Sequence, residues 1–545
     1  MKARMKARLS FSRSVKALCL FILVLTAAAP TKAGSPWPGE RPRLVVFMVI
    51  DQFRADYLSR FNDKFSDEGF KALIKSGAYF PYGEYDILQS MTGPGHATVL
   101  TGAYPYQMGI PVNDWYDQKT KAKVYCGEDA SQKTIGVTST RDHVGTSPKN
   151  LVGTTVGDEM KNIDLPGRVI SLALKDRAAI MMGGHRADLA FWFDSDNKKW
   201  VSSSYYLKEP KLPEWMNTLN QEVAKTSCEL DTACGIDMTV DAFAKAFDAY
   251  KLGQGEGTDL VAMSFSSHDF AGHRYGPNSP QMQAMMLAED RAMARIRSFV
   301  KDRVPKGLDR VLFVLTGDHG VCATPEYLKE NKIDSGRIDE EVLATRVEEA
   351  LNKKYGVPKS KAPKTGETKA LDGKIISVNA ADHPGAAGKK WISYVFDFNF
   401  YLNEDTIKER KADLAKVEAD VKAVLQQEPG FAHVFTADDV QAGRLPPGQF
   451  KRQIEKTFYQ GRSGHVIGIQ RPFYITGTKG TTHLTGYTYD RTVPILFSGF
   501  GIQPGTYASK AEVVDIAPTL SFILGVVPPA LTEGKVLVDA IPKRN

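Results

Sequence analysis

Residues 310–320, Arg310-Val-Leu-Phe-Val-Leu-Thr-Gly-Asp-His-Gly320, join an apolar run to two metal-binding side-chain types set between glycines. The run Arg310–Leu315 is short, β-branched and apolar, as suits a strand buried on both faces. Asp318 and His319 then fall where that strand ends, and glycine on either side permits backbone angles that let adjacent side chains converge. A polar turn is the other reading of the same residues. Four more apolar runs of this kind occur, at Leu44–Ile50, Arg168–Leu174, Asp259–Phe265 and Val493–Phe497. Helical patterns lie between them. Pro280–Val304 is the clearest, with Asn278-Ser279 as its start signal, and Ala511–Leu524 is a late helix ending at Gly525. Strands alternating with helices predict a three-layer α/β domain, an αβα sandwich around a mostly parallel sheet. Two stretches, about 187–255 and 321–480, interrupt the alternation and are read as caps over one active site. Within the second, Lys353–Lys374 reads as a surface loop and Asp405–Gln427 as an amphipathic helix.

The first 33 residues have a different character. Lys2, Arg4, Lys6, Arg8, Arg13 and Lys16 precede the apolar run Ala17–Ala29, and Thr31-Lys32-Ala33 offers a small-x-small cleavage site. This is the pattern of a secretory signal peptide. The run is short for a membrane span, which takes roughly 20 residues. Residues 34–545 are then the catalytic domain, expected in the periplasm or outside the cell with no lasting membrane anchor. The whole chain carries 70 basic and 63 acidic residues, and seven of the basic ones lie in residues 1–33. The mature balance is therefore neutral, which argues against a nucleic-acid partner. Export permits disulfides. Cys228 and Cys234 close a short loop and are the first pair expected, with Cys126–Cys322 the weaker pairing.

In doubly wound sheets, ligands bind beyond the carboxyl ends of strands. Asp51 follows Ile50; a carboxylate there is costly unless paired or metal-bound, or else it caps a helix. After Phe265, Asp269 and His273 stand four apart, a spacing that places both on one face of a helix, or they belong to a polar loop. His483 precedes the last apolar run. Three carboxylates and three imidazoles (Asp51, Asp269, His273, Asp318, His319 and His483) suit two zinc ions with open positions; cobalt or manganese stays open.

Thr92, in Met91-Thr92-Gly93-Pro94-Gly95-His96, lies just before a helical stretch beginning near Pro94. A helix N-terminus offers N–H groups to an anion. Threonine attacks only when activated, and its alternative role here is an N-cap. Lys175 and Arg177, two apart on a segment read as extended, project to one side and suit phosphoryl oxygens. Asn113 is a neutral donor or a turn asparagine.

With these segments in order (IDQFRADYL, TGPGHATVLTG, GIPVNDWYD, SLALKDR, SSHDFAGHRYGP, LTGDHG, GTTHLTGYTYD and VVDIAPTLSFILG), the sequence resembles the alkaline phosphatase superfamily across nearly all of the mature chain. It is most similar to the phosphate-irrepressible branch with a threonine nucleophile. The resemblance implies one zinc on Asp269, His273 and His483, and a second on Asp51, Asp318 and His319 with Thr92 as additional ligand. It implies that Asn113, Lys175 and Arg177 hold the non-bridging phosphate oxygens, and that turnover runs through a phosphothreonine. The implied enzyme is a monomeric alkaline phosphatase acting on small phosphate monoesters.

A phosphodiesterase or nucleotide pyrophosphatase of the same superfamily is the rival. It shares the metal ligands and the threonine, but a diester carries less charge and gains less from two cations. A sulfatase needs a C/S-x-P-x-R arrangement that TGPGH lacks. A non-catalytic exported phosphate-ester-binding protein finds no support, since no site residue is missing.

Overall fold

Seven consecutive buried residues make Leu44–Ile50 (β1) the spine of the molecule. The computed structural model describes residues 40–137, 145–359 and 390–543. The expected signal peptide, residues 1–33, and most of the expected Lys353–Lys374 loop lie outside the described residues. Alternate β1 side chains enter two separate cores. Leu44, Val46, Met48 and Ile50 join one, and Val45, Phe47 and Val49 the other. A strand apolar on both faces needs a cover on both, and this is what produces three layers.

Among the described residues the main sheet has eleven strands. In chain order they are β1; Gly77–Glu84 (β2); Thr134–Ile135 (β3); Val169–Ala173 (β4); Leu189–Asp194 (β5); Lys199–Ser203 (β6); Asp259–Phe265 (β7); Val311–Gly317 (β8); Thr492–Gly499 (β9); Gly505–Thr506 (β10); and Ala511–Glu512 (β11). Across the sheet they run β10-β2-β9-β8-β1-β7-β4-β5-β6-β3, with β11 on β2. Helices Ala233–Tyr250 (α2) and Pro280–Arg303 cover one face, through Phe243, Phe247, Met286 and Ile296. Helices Thr92–Thr101 (α1) and Ile516–Leu524 cover the other, through Val99, Leu100 and Leu520.

Register turns this packing into a site. β1 pairs in parallel with β8 and with β7, ending at Ile50↔Gly317 and Ile50↔Phe265. Three strands therefore stop level, and Asp51, Asp318 and the helix Ser266–Tyr275 (α3) all leave from one line. A slip of one residue would offset Asp51 from Asp318 by about 3.3 Å.

Several expectations need correcting. β9, read as parallel, is antiparallel to β8 (Leu315↔Leu496). An apolar run reports burial on two faces, not chain direction. The reversal brings the start of β9, and with it the loop carrying His483, to the carboxyl edge of its neighbours. Residues 187–255 are not a cap: β5 extends the main sheet in parallel from β4, β6 continues it, and Ala233–Tyr250 packs on its face. Asp405–Gln427 is two helices, Glu404–Glu409 and Leu414–Leu425, parted by Lys411 at φ 51° and restarted by Asp413, which accepts from the Lys416 N–H at 3.0 Å. The late helix begins only at Ile516, because Ala511–Glu512 pairs with β2. Cys228 and Cys234 are disulfide-bonded, whereas Cys126 and Cys322 are each buried and unpaired.

Residues 321–480 carry a second sheet of their own. Strands 392–396, 399–402, 466–470 and 431–436 form a four-stranded sheet in that order, with helices Glu340–Tyr355 and Leu414–Leu425 on a core around Trp391, Phe398 and Val421. Tyr394, Phe396 and Tyr401 of this sheet reach a second cluster that contains Met91 and Leu484, the neighbours of Thr92 and His483. Among the described residues, no helix is long and apolar enough to cross a membrane.

Candidate active site

Thr92 is the first residue of α1 and Met91 is its N-cap, with no side-chain cap bond. The N-cap reading of Thr92 is thereby overturned, and its hydroxyl is left for other work. Thr92 is buried, and Lys175 Nζ donates to its Oγ1 at 3.2 Å. The same ammonium donates to Asp51 Oδ2 at 2.7 Å and to Asp269 Oδ2 at 2.6 Å.

The open helix N-terminus expected to hold an anion is mostly occupied. Gly93 N–H donates to Asn113 Oδ1 at 2.8 Å, Pro94 has no N–H, and Gly95 N–H returns to Met91 O at 2.9 Å. Of this turn's backbone donors the Thr92 N–H is left, beside the side chains, to grip a phosphoryl group. With Oδ1 engaged, Asn113 has its Nδ2 amide to donate. Gly95 is a matter of space: a Cβ there would stand 2.5 Å from Asp318 O, so glycine lets α1 settle onto the Asp318 loop.

Lys175 and Arg177 do not share an extended segment. Lys175 is extended and caps a helix, Asp176–Gly183, so Arg177 sits at its second position. Lys175 turns onto Thr92. Arg177 lies partly buried beside Tyr125 and Cys126. Cys126 adjoins Asn113 and Gly93: its Sγ would be 3.1 Å from a Cβ on Gly93. Lys175 thus reaches Thr92 directly, while Arg177 lies beside Cys126, which adjoins Gly93.

The expected metal ligands converge. Asp269, His273 and His483 form one buried group, with every ligand atom within 4.8 Å of the others. Asp269 and His273 share a face of α3, with Oδ1 and Nε2 3.1 Å apart. Asp51 and His319 group with Asp269, and Asp51 and Asp318 group with His96. Sequence reasoning missed His96. Its Nδ1 lies 3.0 Å from Asp318 Oδ2 and 2.9 Å from Thr92 O, and its Nε2 lies 2.8 Å from Ser264 Oγ. The spacing of four from Thr92 on a helix was the available signal.

Each expected imidazole ligand spends Nδ1 on a backbone carbonyl: His273 on Thr481 O at 2.8 Å, His319 on Gly320 O at 3.0 Å, and His483 on Ser90 O at 2.5 Å. Such bonds set the proton on Nδ1 and leave Nε2 as a lone pair. The three Nε2 atoms and Asp51 Oδ1 are buried and have no hydrogen-bond partner, whereas Asp318 Oδ2 faces His96. Each such orphan costs about 1–3 kcal/mol, so four aimed at one place make a strong case for a cation. Burial, with His319 and His273 close by, keeps His483 well below the ordinary imidazole range, hence neutral and able to ligate. Burial works to raise Asp269 and Asp318, but the neighbouring histidines and Lys175 outweigh it and hold both below the usual carboxylate range. Burial and Asp318 push Asp51 up against the pull of Lys175. The donor set of acids and imidazoles fits a pair of divalent metals.

Fold and site together define a metal-dependent hydrolase class. Residues 45–490 match the family model described as type I phosphodiesterase / nucleotide pyrophosphatase. The chain is 31% identical to alkaline phosphatase PhoV of Synechococcus elongatus, over 97% of this chain and 100% of that protein. It is 28% identical to alkaline phosphatase PafA of Elizabethkingia meningoseptica, over 92% and 95% of the two chains. The crystal structure of wild-type PafA superposes with a TM-score of 0.81 at 27% identity, covering 92% of this chain and 100% of that one. The chain belongs to the alkaline phosphatase superfamily, with the PafA- and PhoV-like phosphate-irrepressible alkaline phosphatases.

Proposed function

We propose that the protein is an exported, zinc-dependent alkaline phosphatase that releases phosphate from small monoesters through a phosphothreonine at Thr92. The observation that carries this reading is a buried threonine hydroxyl without a capping role, 3.2 Å from an ammonium that also bridges Asp51 and Asp269. Asp269, His273 and His483 would hold one zinc, and Asp51, Asp318 and His319 the other, with Thr92 as an added ligand. Bound there, the pair supplies Lewis-acid stabilisation of the attacking and leaving oxygens.

The chain's own residues do the rest. Thr92 Oγ1 attacks phosphorus as the ester oxygen departs in line, and water later cleaves the new P–O bond to regenerate Thr92. Lys175 lowers the cost of charge on Oγ1. Lys175, Arg177 and the Asn113 amide neutralise and orient the non-bridging oxygens of the transferred group, an electrostatic role. A monoester dianion gains more from two cations than a diester does, and this favours monoesterase over the diesterase chemistry named in the matching family model. The N-terminal sequence pattern and the Cys228–Cys234 disulfide support action outside the cytoplasm.

Turnover of an aryl phosphate monoester and the matching diester, before and after chelation and with zinc restored, tests this reading. Faster monoester turnover that disappears on chelation and returns with zinc is expected. Faster diester turnover, or indifference to chelation, overturns it.

A further inference from the structure

Gln52 stands immediately after Asp51, is fully buried, and has φ 71°, a left-handed angle uncommon for a side chain of this size. Strain of this sort persists where the surroundings over-determine it. Two bonds do so here. The Gln52 backbone N–H donates to Asp318 Oδ1 at 3.0 Å, and its side-chain Nε2 donates to Asp269 Oδ1 at 2.7 Å. An ionised carboxylate only accepts, so Asp269 dictates which end of the amide faces it. Each carboxylate oxygen has two acceptor sites, so Asp269 Oδ1 also faces His273 Nε2 at 3.1 Å and His483 Nε2 at 3.7 Å.

From this we infer that Gln52 is a positioning residue that ties the two halves of the metal cluster together. Its backbone holds the carboxylate of one half and its side chain that of the other, from the residue next to Asp51. The inference rests on the two-metal reading above. Gly272 belongs to the same device. It lies on α3 between Asp269 and His273, and a Cβ there would come 1.7 Å from Gln52 Oε1. Glycine inside a helix is less favourable than alanine, so a purely structural helix gains from alanine at this position. Here the missing Cβ is the space that Gln52 occupies.

The experiment compares the full-length wild type with Gln52→Leu, Gly272→Ala and the double variant. Zinc affinities are read by competition with a chromophoric chelator, thermal midpoints on metal-free protein, and kcat and KM on an aryl monoester. Gln52→Leu keeps the backbone bond to Asp318 and loses only the amide on Asp269. One of the two zincs is therefore expected to weaken about 10- to 100-fold, the scale seen when a partner of a ligand is removed, while the other changes little. kcat falls with KM nearly unchanged, and the metal-free midpoint is not lowered. Gly272→Ala reproduces the loss, and the double variant is no worse than Gln52→Leu, because both changes remove the same contact.

Unchanged zinc affinity in both single variants overturns the inference. So do losses that add in the double variant, and equal weakening of both zincs with a lower metal-free midpoint, which marks a general structural role. A wild type that binds fewer than two zincs overturns the two-metal reading itself, a failure distinguishable from that of Gln52.

Discussion

Buried acids at the strand ends and in the inserted sheet keep different company, and burial acts on them differently. At the strand ends, Asp51, Asp269 and Asp318 are fully buried in the company of Lys175, His96, His273, His319 and His483. In the inserted sheet, Asp397 sits 2% exposed at the tight turn joining strands 392–396 and 399–402, and neither of its carboxylate oxygens has a hydrogen-bond partner. Burial pushes Asp397 well above the carboxylate range, and Glu340 and Asp114 push it further. Burial likewise takes Glu340 up to about 7. The nearby cation, Lys123, pairs with Asp114 at 3.1 Å. Asp269 and Asp318 thus keep their charge beside cations and imidazoles, Asp51 between them is pushed up by burial and by Asp318, and Asp397, without such neighbours, takes a proton. Only the first group is built for a metal.

The comparison breaks most visibly at the threonine. Thr92→Ala is expected to lower kcat by roughly 10^4-fold or more while both metals stay bound, measured by steady-state turnover and metal analysis. Retained turnover removes Thr92 from the chemistry. The next effect concerns the cation that separates the two acid groups. Lys175→Ala with Arg177→Ala should cut monoester kcat/KM about 10^2- to 10^3-fold and diester kcat/KM by much less. Equal losses on the two substrates contradict a charge-matching role.

The smallest effect sharpens the other side. Glu340 binds a proton more tightly folded than unfolded, so its contribution to stability is full below about pH 4.5 and is lost as pH rises to about 7. Asp397 shifts in the same direction. Glu340→Gln and Asp397→Asn should therefore flatten the decline of thermal midpoint with pH across that window without touching kcat, as read by melting curves at stepped pH. A midpoint that rises with pH in the wild type across that window would show these acids to be ionised in the fold.

Much of the site was legible because strand ends are legible. Leu44–Ile50 and Asp259–Phe265 have the bounds their apolar runs announce, and the chemistry begins at the next residue. The ligand set Asp269, His273 and His483 comes together as the family resemblance implies. Other parts depend on contacts between segments far apart in sequence. The direction of Thr492–Gly499 is decided by pairing with Val311–Gly317, and its apolar run reads the same either way. Arg177 parts from Lys175 because a helix begins at Asp176, where a run of charges gives no clear start signal. Gln52 carries no sequence signal, since its importance lies in a left-handed backbone and a glycine 220 positions later. Gly93 N–H is taken by Asn113, 20 residues on, and local spacing does not reveal that this donor is spent.

The most direct test of the account is to mix the zinc-loaded protein with an aryl phosphate monoester, quench in acid within the first turnovers, and map the modified peptide by mass spectrometry. Phosphate on Thr92, and none in Thr92→Ala, is the result expected. Phosphate on another side chain, or its absence during rapid turnover with the chemical step shown to precede a slower one, would contradict the covalent route.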